Sequence, residues 1–295
     1  KENKSLISKL KIKASLMKEQ FLYSLLTGRI NSQNQFNSLA ELAGVSLDGP
    51  SYAVLLFMID DYSNFIKVND RSMQELLKFS IVNVIEELAL EVGHGYGIEL
   101  LDGRGIALIL NLKEGKNEDR FISELAFKAK DFFRQYYEFT LTVGISEIYH
   151  NDALLIKNAF NEANRAINYR LIKGKDQIIF FKDVAKEENN RYRYPSEFEA
   201  KLTMSIKQGK VQDVQRYIKK IIEYIKSQAV IPETAQYLCI DIINTIIKTL
   251  EEINVDVYGC FGSEFEQLYM QPFETIEALG NRIIKFCRSI CSYIE

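Results

Sequence analysis

Residues 97–110, GIELLDGRGIALIL, constrain this chain more than any other stretch. Two apolar runs flank a polar tip, and Gly103 and Gly105 can supply the positive φ that tight hairpin turns need. A hairpin here fixes two adjacent antiparallel strands, so the segments on either side must be compatible with a sheet. Upstream, YAVLLFMID reads as a buried strand and MQELLKFSIVNVIEELALEV as a long amphipathic helix. Downstream, EDRFISELAFKAKDFFRQYY reads as helix and FTLTVGISEI as strand. DALLIKNAFNEANRAINYRLIKG follows as a helix stopped by Gly174, and DQIIFF as a last strand. Asp152 stands where that last helix needs its N-cap.

The order is therefore strand, helix, strand, strand, helix, strand, helix, strand. A central antiparallel hairpin with helices crossing one face predicts an α+β fold, a ferredoxin-like α/β sandwich over residues 47–185. Residues 1–46 precede it. KENKSLISKLKIKASLMKEQFLYSLLTG reads as one amphipathic helix ending at Gly28, with Ile7, Leu10, Ala14, Met17 and Phe21 at alternating spacings of three and four, the seam of a short coiled coil. Basic residues outnumber acidic ones along it, as on a solvated helix face or a juxtamembrane or interdomain signalling helix. A polar link and a small helix around Phe36–Ala43 lead into the sandwich. After it, KEENNRYRYPS is polar and ends in Pro195, a domain boundary. Residues 195–295 then read almost entirely as helix: 196–208, 211–228, 232–253 and 273–294, with Pro232 and Pro272 at helix starts. Short loops predict an antiparallel all-α bundle.

Bulk properties exclude several classes. A net charge of −3 argues against the chain as a whole binding nucleic acid. Cys239, Cys260, Cys287 and Cys291 form no CxxC pair, and His94 and His150 are the two histidines, so no zinc site is expected. Buried reduced thiols of a cytoplasmic protein are expected instead. His94 and His150 are expected at the surface, and the aromatics of FFRQYYEF in packing. No run is long and apolar enough to span a membrane and no signal peptide is visible. The first residue is Lys1 rather than methionine, so a piece of a longer protein is expected.

Three local signatures in residues 47–185 resemble the diguanylate cyclase, or GGDEF, domain. FMIDDYSNF resembles that family's DxDxFK segment, and LDGRGIAL falls where the family places GGDEFA. VGIS with AFNEANRAINYRLIKGKDQIIFF resembles the family's closing strand, helix, glycine stop and final strand. The resemblance implies a catalyst that joins two GTP molecules with two metal ions. Hard cations need carboxylate oxygens, taken in that family from the first aspartate of the strand exit and the acidic pair of the hairpin. Here Met58 stands at the first position and Arg104 and Gly105 at the pair. A guanidinium repels the cation a carboxylate would hold. The arginine of the family's RxxD inhibition motif is absent from EVGHGYGIE, and Ser63 stands where a lysine is implied. The resemblance therefore implies a degenerate, catalytically inactive domain with no cofactor and no metal. Asp60, Asp61, Asp102, Gly103 and Arg104 remain around the implied site mouth, either as a polar loop rim or as a vestigial pocket for an anionic small molecule or nucleotide, with Arg104 facing a phosphate.

The layout as a whole is similar to AraC-type transcription regulators: a basic helix ending in FLYSLLTG, a degenerate GGDEF-like domain, and a helical segment opening with EFEAKLTMSIKQGK and closing with IIKFCRSICSYIE. The resemblance implies two helix-turn-helix motifs beyond this chain, and upstream either a two-component receiver domain or a sensor with membrane-spanning helices. The expected function is signal relay and dimerisation in a regulator whose DNA contacts lie in a domain absent here. The alternatives are a small-molecule or nucleotide sensor using the vestigial pocket, and a divergent diguanylate cyclase using Asp60 and Asp61. The expected partner is a second copy of the chain.

Overall fold

The computed structural model describes residues 2–113, 117–186, 195–228, 230–270 and 273–294, with side chains from residue 13 onward, 269 and 270 excepted. In chain order the first elements are α1 Glu2–Leu26, α2 Gln33–Ala43, β1 Ser51–Ile59, α3 Tyr62–Val68, α4 Arg71–Ala89, β2 Gly93–Glu99 and β3 Gly105–Leu112. Then come α5 Glu118–Tyr136, β4 Leu141–Ile145, β5 Tyr149–His150, a 3-10 turn Ala153–Leu155, α6 Ile156–Asn168, α7 Arg170–Lys173, β6 Ile178–Phe180 and α8 Phe181–Val184. The remainder is helical: α9 Ser196–Lys207, α10 Val211–Ser227, α11 Pro232–Glu252, α12 Val257–Met270 and α13 Ile276–Ile294. Two compact units result, residues 1–167 with 175–183, and residues 168–174 with 184–295.

The first unit is a mixed α/β body built on one sheet. Its strands lie in the order β2-β3-β1-β4-β6, with β5 pairing the start of β1. β1 runs antiparallel to both β3 and β4, β2 antiparallel to β3, and β6 parallel to β4. β1 is apolar at successive positions because the sheet is covered on both faces. Ala53, Leu55, Phe57 and Ile59 face a core with Ile81 and Ile85 of α4 and Ala126, Ala129 and Phe133 of α5. Tyr52, Val54 and Leu56 face a second core with the end of α1, with α2, and with Ala159 and Ala163 of α6. Alternation across the pleat sorts these two sets.

The hairpin forms at the quoted stretch, with one correction. Gly103 takes φ +69°, but Gly105 is an extended strand residue. What Gly105 supplies is space: a Cβ there would lie 2.4 Å from the Phe57 carbonyl oxygen. The helix expected from 152 to 174 is also interrupted. Asp152 does accept a hydrogen bond from the Leu154 amide at 2.9 Å, but it caps the 3-10 turn, and Tyr169 separates α6 from α7. α3, β5, α8 and α12 are additions to the expected order, and Phe181, expected in the last strand, opens α8.

In the second unit α10 packs on α9 and α13, and α11 on α7, α9, α12 and α13. Pro232 opens α11 at its first turn, where a missing N–H costs nothing; Pro272 and most of KEENNRYRYPS lie outside the described residues. Gly280 brings α13 against α10, since a Cβ there would sit 1.9 Å from Ile222 Cδ1. Burial pushes the Cys239 thiol up to about 12, with the Glu277 charge adding to it, and burial likewise raises Cys287. Such thiols stay protonated at neutral pH and behave as small apolar groups. No helix among the described residues is long and apolar enough to cross a membrane.

Candidate functional site

β1 ends at Ile59 and delivers Asp60 and Asp61 to one end of the sheet. Asp60 is buried, 3% exposed. Its Oδ2 accepts from Thr140 Oγ1 at 2.8 Å and from the Asp176 amide at 3.0 Å, and its Oδ1 accepts from Thr142 Oγ1 at 2.8 Å. Its own amide donates to the Thr140 carbonyl. Asp60 thus ties the exit of β1 to the start of β4 and to the loop entering β6. Asp61 begins α3 in the left-handed conformation, φ +52°, and its exposed carboxylate pairs with Lys175 of that same loop.

The hairpin tip makes a separate group. Gly103 donates to the Leu100 carbonyl at 2.8 Å, and the Arg104 amide donates to Asp102 Oδ1 at 3.0 Å. The Arg104 guanidinium stays close to the same carboxylate, Nε to Oδ2 3.9 Å, with both side chains about half exposed. Gly103 sits against α3 and α4: a Cβ would lie 3.1 Å from Lys78 Nζ and 3.3 Å from the Tyr62 hydroxyl. Lys78 is almost buried, and its Nζ donates to Glu99 Oε1 at 2.8 Å. Burial pushes its pKa down, but Glu99 and Tyr62 outweigh that and hold it above the ordinary lysine value.

A cleft of about 580 Å³ opens beside Asp60 and Asp61. Asn64, Phe65, Val68 and Asn69 line it from α3 and its end, Met73 and Leu77 from α4, and Arg134, Tyr137, Glu138, Phe139 and Thr140 from the α5–β4 junction. Asp102, Gly103 and Arg104 do not line it. Of the five residues expected around one mouth, the structure brings Asp60 and Asp61 to the cleft and leaves the other three at the hairpin tip. The cleft's remaining walls were not anticipated: α3 is too short to show a periodicity, and FFRQYYEF reads as packing. That packing is real, since Phe133 stacks on Phe139 at 5.5 Å and tilts against Tyr137 at 5.2 Å. Arg134 is held by Asp131 at 2.6 Å and Asp176 at 3.4 Å, so the cleft's cation is already engaged.

The positions where carboxylates are implied come together across the β1–β3 ladder. Met58 pairs with Gly105 in register, and the Ile59 amide donates to the Arg104 carbonyl at 3.0 Å. A thioether, a guanidinium and a glycine stand there, a donor set unsuited to a hard divalent cation. Among the described residues no group of three His, Cys, Asp or Glu side chains is arranged to hold a metal ion. His94 is exposed, and His150, also exposed, shares a 2.9 Å contact from Nδ1 to Ser51 Oγ. Of the expected seam residues, Phe21 is buried at 4% exposure and packs on Phe36, ring centroids 5.7 Å apart, while Ala14 is exposed and Met17 half-buried. Ile7 and Leu10 lie outside the described side chains.

No protein-family model matches the chain. Among curated proteins it is similar to YtdP, an uncharacterized HTH-type transcriptional regulator of Bacillus subtilis (strain 168), with 23% identity over 279 residues. The match covers 92% of this chain and 34% of that regulator, so the chain spans about a third of its length. Among solved structures, an EAL/GGDEF domain protein from M. capsulatus shares 18% identity, covering 52% of this chain and 99% of that one, with a TM-score of 0.38.

Proposed function

We propose that this chain is the central regulatory region of an AraC-type transcription regulator, cytoplasmic, and catalytically inactive. It relays an upstream signal and sets the geometry of DNA-binding domains carried elsewhere in the parent protein. The observation that carries the reading is the similarity to an HTH-type regulator along 92% of the chain, spanning both units. The strand order β2-β3-β1-β4 with α4 and α5 on one face supports a ferredoxin-like, degenerate GGDEF-type first unit. Met58, Arg104 and Gly105 in place of metal-binding carboxylates support the loss of cyclase chemistry. Half-site spacing on DNA is fixed by dimer geometry, so a region that changes the spacing of its copies controls promoter binding without touching DNA.

The test joins the chain's C-terminus to the paired helix-turn-helix module of an AraC-type regulator with a known operator. Operator binding by the fusion is expected to exceed that of the isolated module, and to weaken with Ile7→Glu and Leu10→Glu on the N-terminal seam. Binding equal to that of the isolated module rejects the reading. GTP turnover with magnesium, expected to be nil, separates it from a divergent cyclase.

A second reading, a nucleotide or small-molecule sensor, is favoured by the cleft of about 580 Å³ beside Asp60 and Asp61. A ligand that prefers the native state raises its melting temperature, so a thermal scan with GTP and cyclic di-GMP separates the two readings.

A further inference from the structure

The cleft beside Asp60 and Asp61 has an apolar lining that is only partly covered. Phe65, Val68, Met73, Leu77, Tyr137 and Phe139 supply it. Phe65 and Leu77 are buried, but Val68 and Met73 are 69% and 44% exposed, so apolar surface is left for a molecule that enters. Phe65 meets Phe139 edge to face with ring centroids 5.5 Å apart, and these two walls brace each other. A volume of about 580 Å³ lies in the range of small-molecule sites, about 300–1,000 Å³.

The polar lining decides which chemical class fits. Asp60, Asp61 and Glu138 bring carboxylates, and Arg134 brings the one guanidinium among the lining residues. Arg134 is held by Asp131 and Asp176, neither of which lines the cleft. A phosphate that enters therefore meets like charge and loses its hydration with no uncommitted cation to replace it. Asp60 is taken up by two threonine hydroxyls and the Asp176 amide, and Asp61 by Lys175. Glu138 is different. It is exposed, and among the described residues it has no hydrogen bond or ion pair. Asn69 donates its amide to the Phe65 carbonyl at 2.9 Å, which leaves its Oδ1 to accept. The charged group that this cleft keeps uncommitted is an acceptor.

We propose that the cleft holds a small organic cation, a protonated amine on an apolar or aromatic body. Glu138 pairs with the ammonium, and the body lies against Val68, Met73 and Phe139. The same carboxylate turns nucleotides away, since a group that attracts one charge selects against the other. The proposal rests on the sensor reading and gives that sensor a ligand opposite in charge to GTP.

Three molecules with one indole body and different charge test it: tryptamine, tryptophol and indoleacetate. Each is titrated calorimetrically into the full chain at neutral pH. Tryptamine is expected to bind most tightly, tryptophol about fivefold more weakly, and indoleacetate and GTP not measurably. The preference for tryptamine over tryptophol should vanish in Glu138→Gln and shrink in high salt. Met73→Ala should weaken both alike, because it removes only apolar contact. Glu138 is exposed and outside both cores, so its variant folds, which an unchanged unfolding midpoint checks. Binding of indoleacetate or GTP as tight as that of tryptamine overturns the proposal and leaves the sensor reading standing. A preference for tryptamine undiminished by Glu138→Gln also overturns it, and no binding of any of the four molecules removes both.

Discussion

The carboxylate of Asp60 accepts from two threonine hydroxyls and a backbone amide while almost fully buried. Hydrogen bonds to a charged acceptor each contribute about 1.5–3 kcal/mol, and a buried donor left without its acceptor costs about 1–3 kcal/mol. Asp60→Ala is therefore expected to lower stability by about 3 kcal/mol, and Thr142→Val by about 1 kcal/mol, in urea unfolding. An unchanged midpoint for Asp60→Ala contradicts this joining role. The Lys78–Glu99 pair gives a pH signature. The folded-state pKa of Lys78 lies above its ordinary value, so the protonated form is favoured by folding. That stability is complete below the unfolded lysine pKa of about 10.4 and is lost as pH rises through the folded value. Lys78→Met should cost about 1 kcal/mol at pH 8 and progressively less above pH 11. At this scale much was legible: Gly28, Gly103 and Gly174 do take positive φ at a helix end, a turn and a helix stop. Asp60 was legible as a candidate but not in its role, because Thr140, Thr142 and Asp176 lie some eighty or more residues away in the chain.

Among elements, the pairing of α4 with β2 depends on glycines. Gly93, Gly95 and Gly97 alternate along β2 and so share one face. A Cβ at Gly95 would lie 2.5 Å from Ala89 Cβ, and one at Gly97 would lie 3.0 Å from Val82 Cγ1. The helix is further held by Glu86, whose Oε1 accepts from the Gly97 amide at 2.8 Å and lies 3.4 Å from Lys18 Nζ of α1. That carboxylate also satisfies an amide of β2, the strand at the sheet edge, which limits pairing with other chains. Gly95→Val is expected to cost about 2 kcal/mol or more through overpacking against backbone-anchored neighbours, and a thermal melt checks it. A melting temperature equal to that of the parent chain means that α4 can move away freely. The major strands and long helices were legible because each carries its own period. α3 was not, since seven residues complete too few turns, and neither was α12, whose Phe261 has φ −133° inside the helical span. The break at Tyr169 was hidden because apolar residues continue through it with helical spacing.

For the whole molecule, the question is where α1 stops being an extension and becomes part of the first unit. Its seam pattern runs from Ile7 to Phe21, but Phe21, Leu22, Leu25 and Leu26 are nearly inaccessible and belong to the second core, against Val54, Leu56 and Ile109. Heptad periodicity and burial against a sheet give the same spacing of apolar residues, which is why the sequence alone reads the whole helix as one seam. The exposure of Ala14 beside the burial of Phe21 puts the change of environment between them. Each fully buried side chain of this size contributes about 2 kcal/mol, and the four together roughly 8 kcal/mol as an upper figure. A domain's whole stability is about 5–15 kcal/mol. Removal of residues 1–28 is therefore expected to unfold or severely weaken the first unit, exposing one face of its sheet. Removal of residues 1–12 should leave the urea midpoint within about 0.5 kcal/mol of the parent chain. Sedimentation of the shorter truncation then reads the seam's share of self-association without loss of fold. If both truncations melt like the parent chain, the docking of α1 contributes nothing to stability, and the whole helix is free to act as a seam.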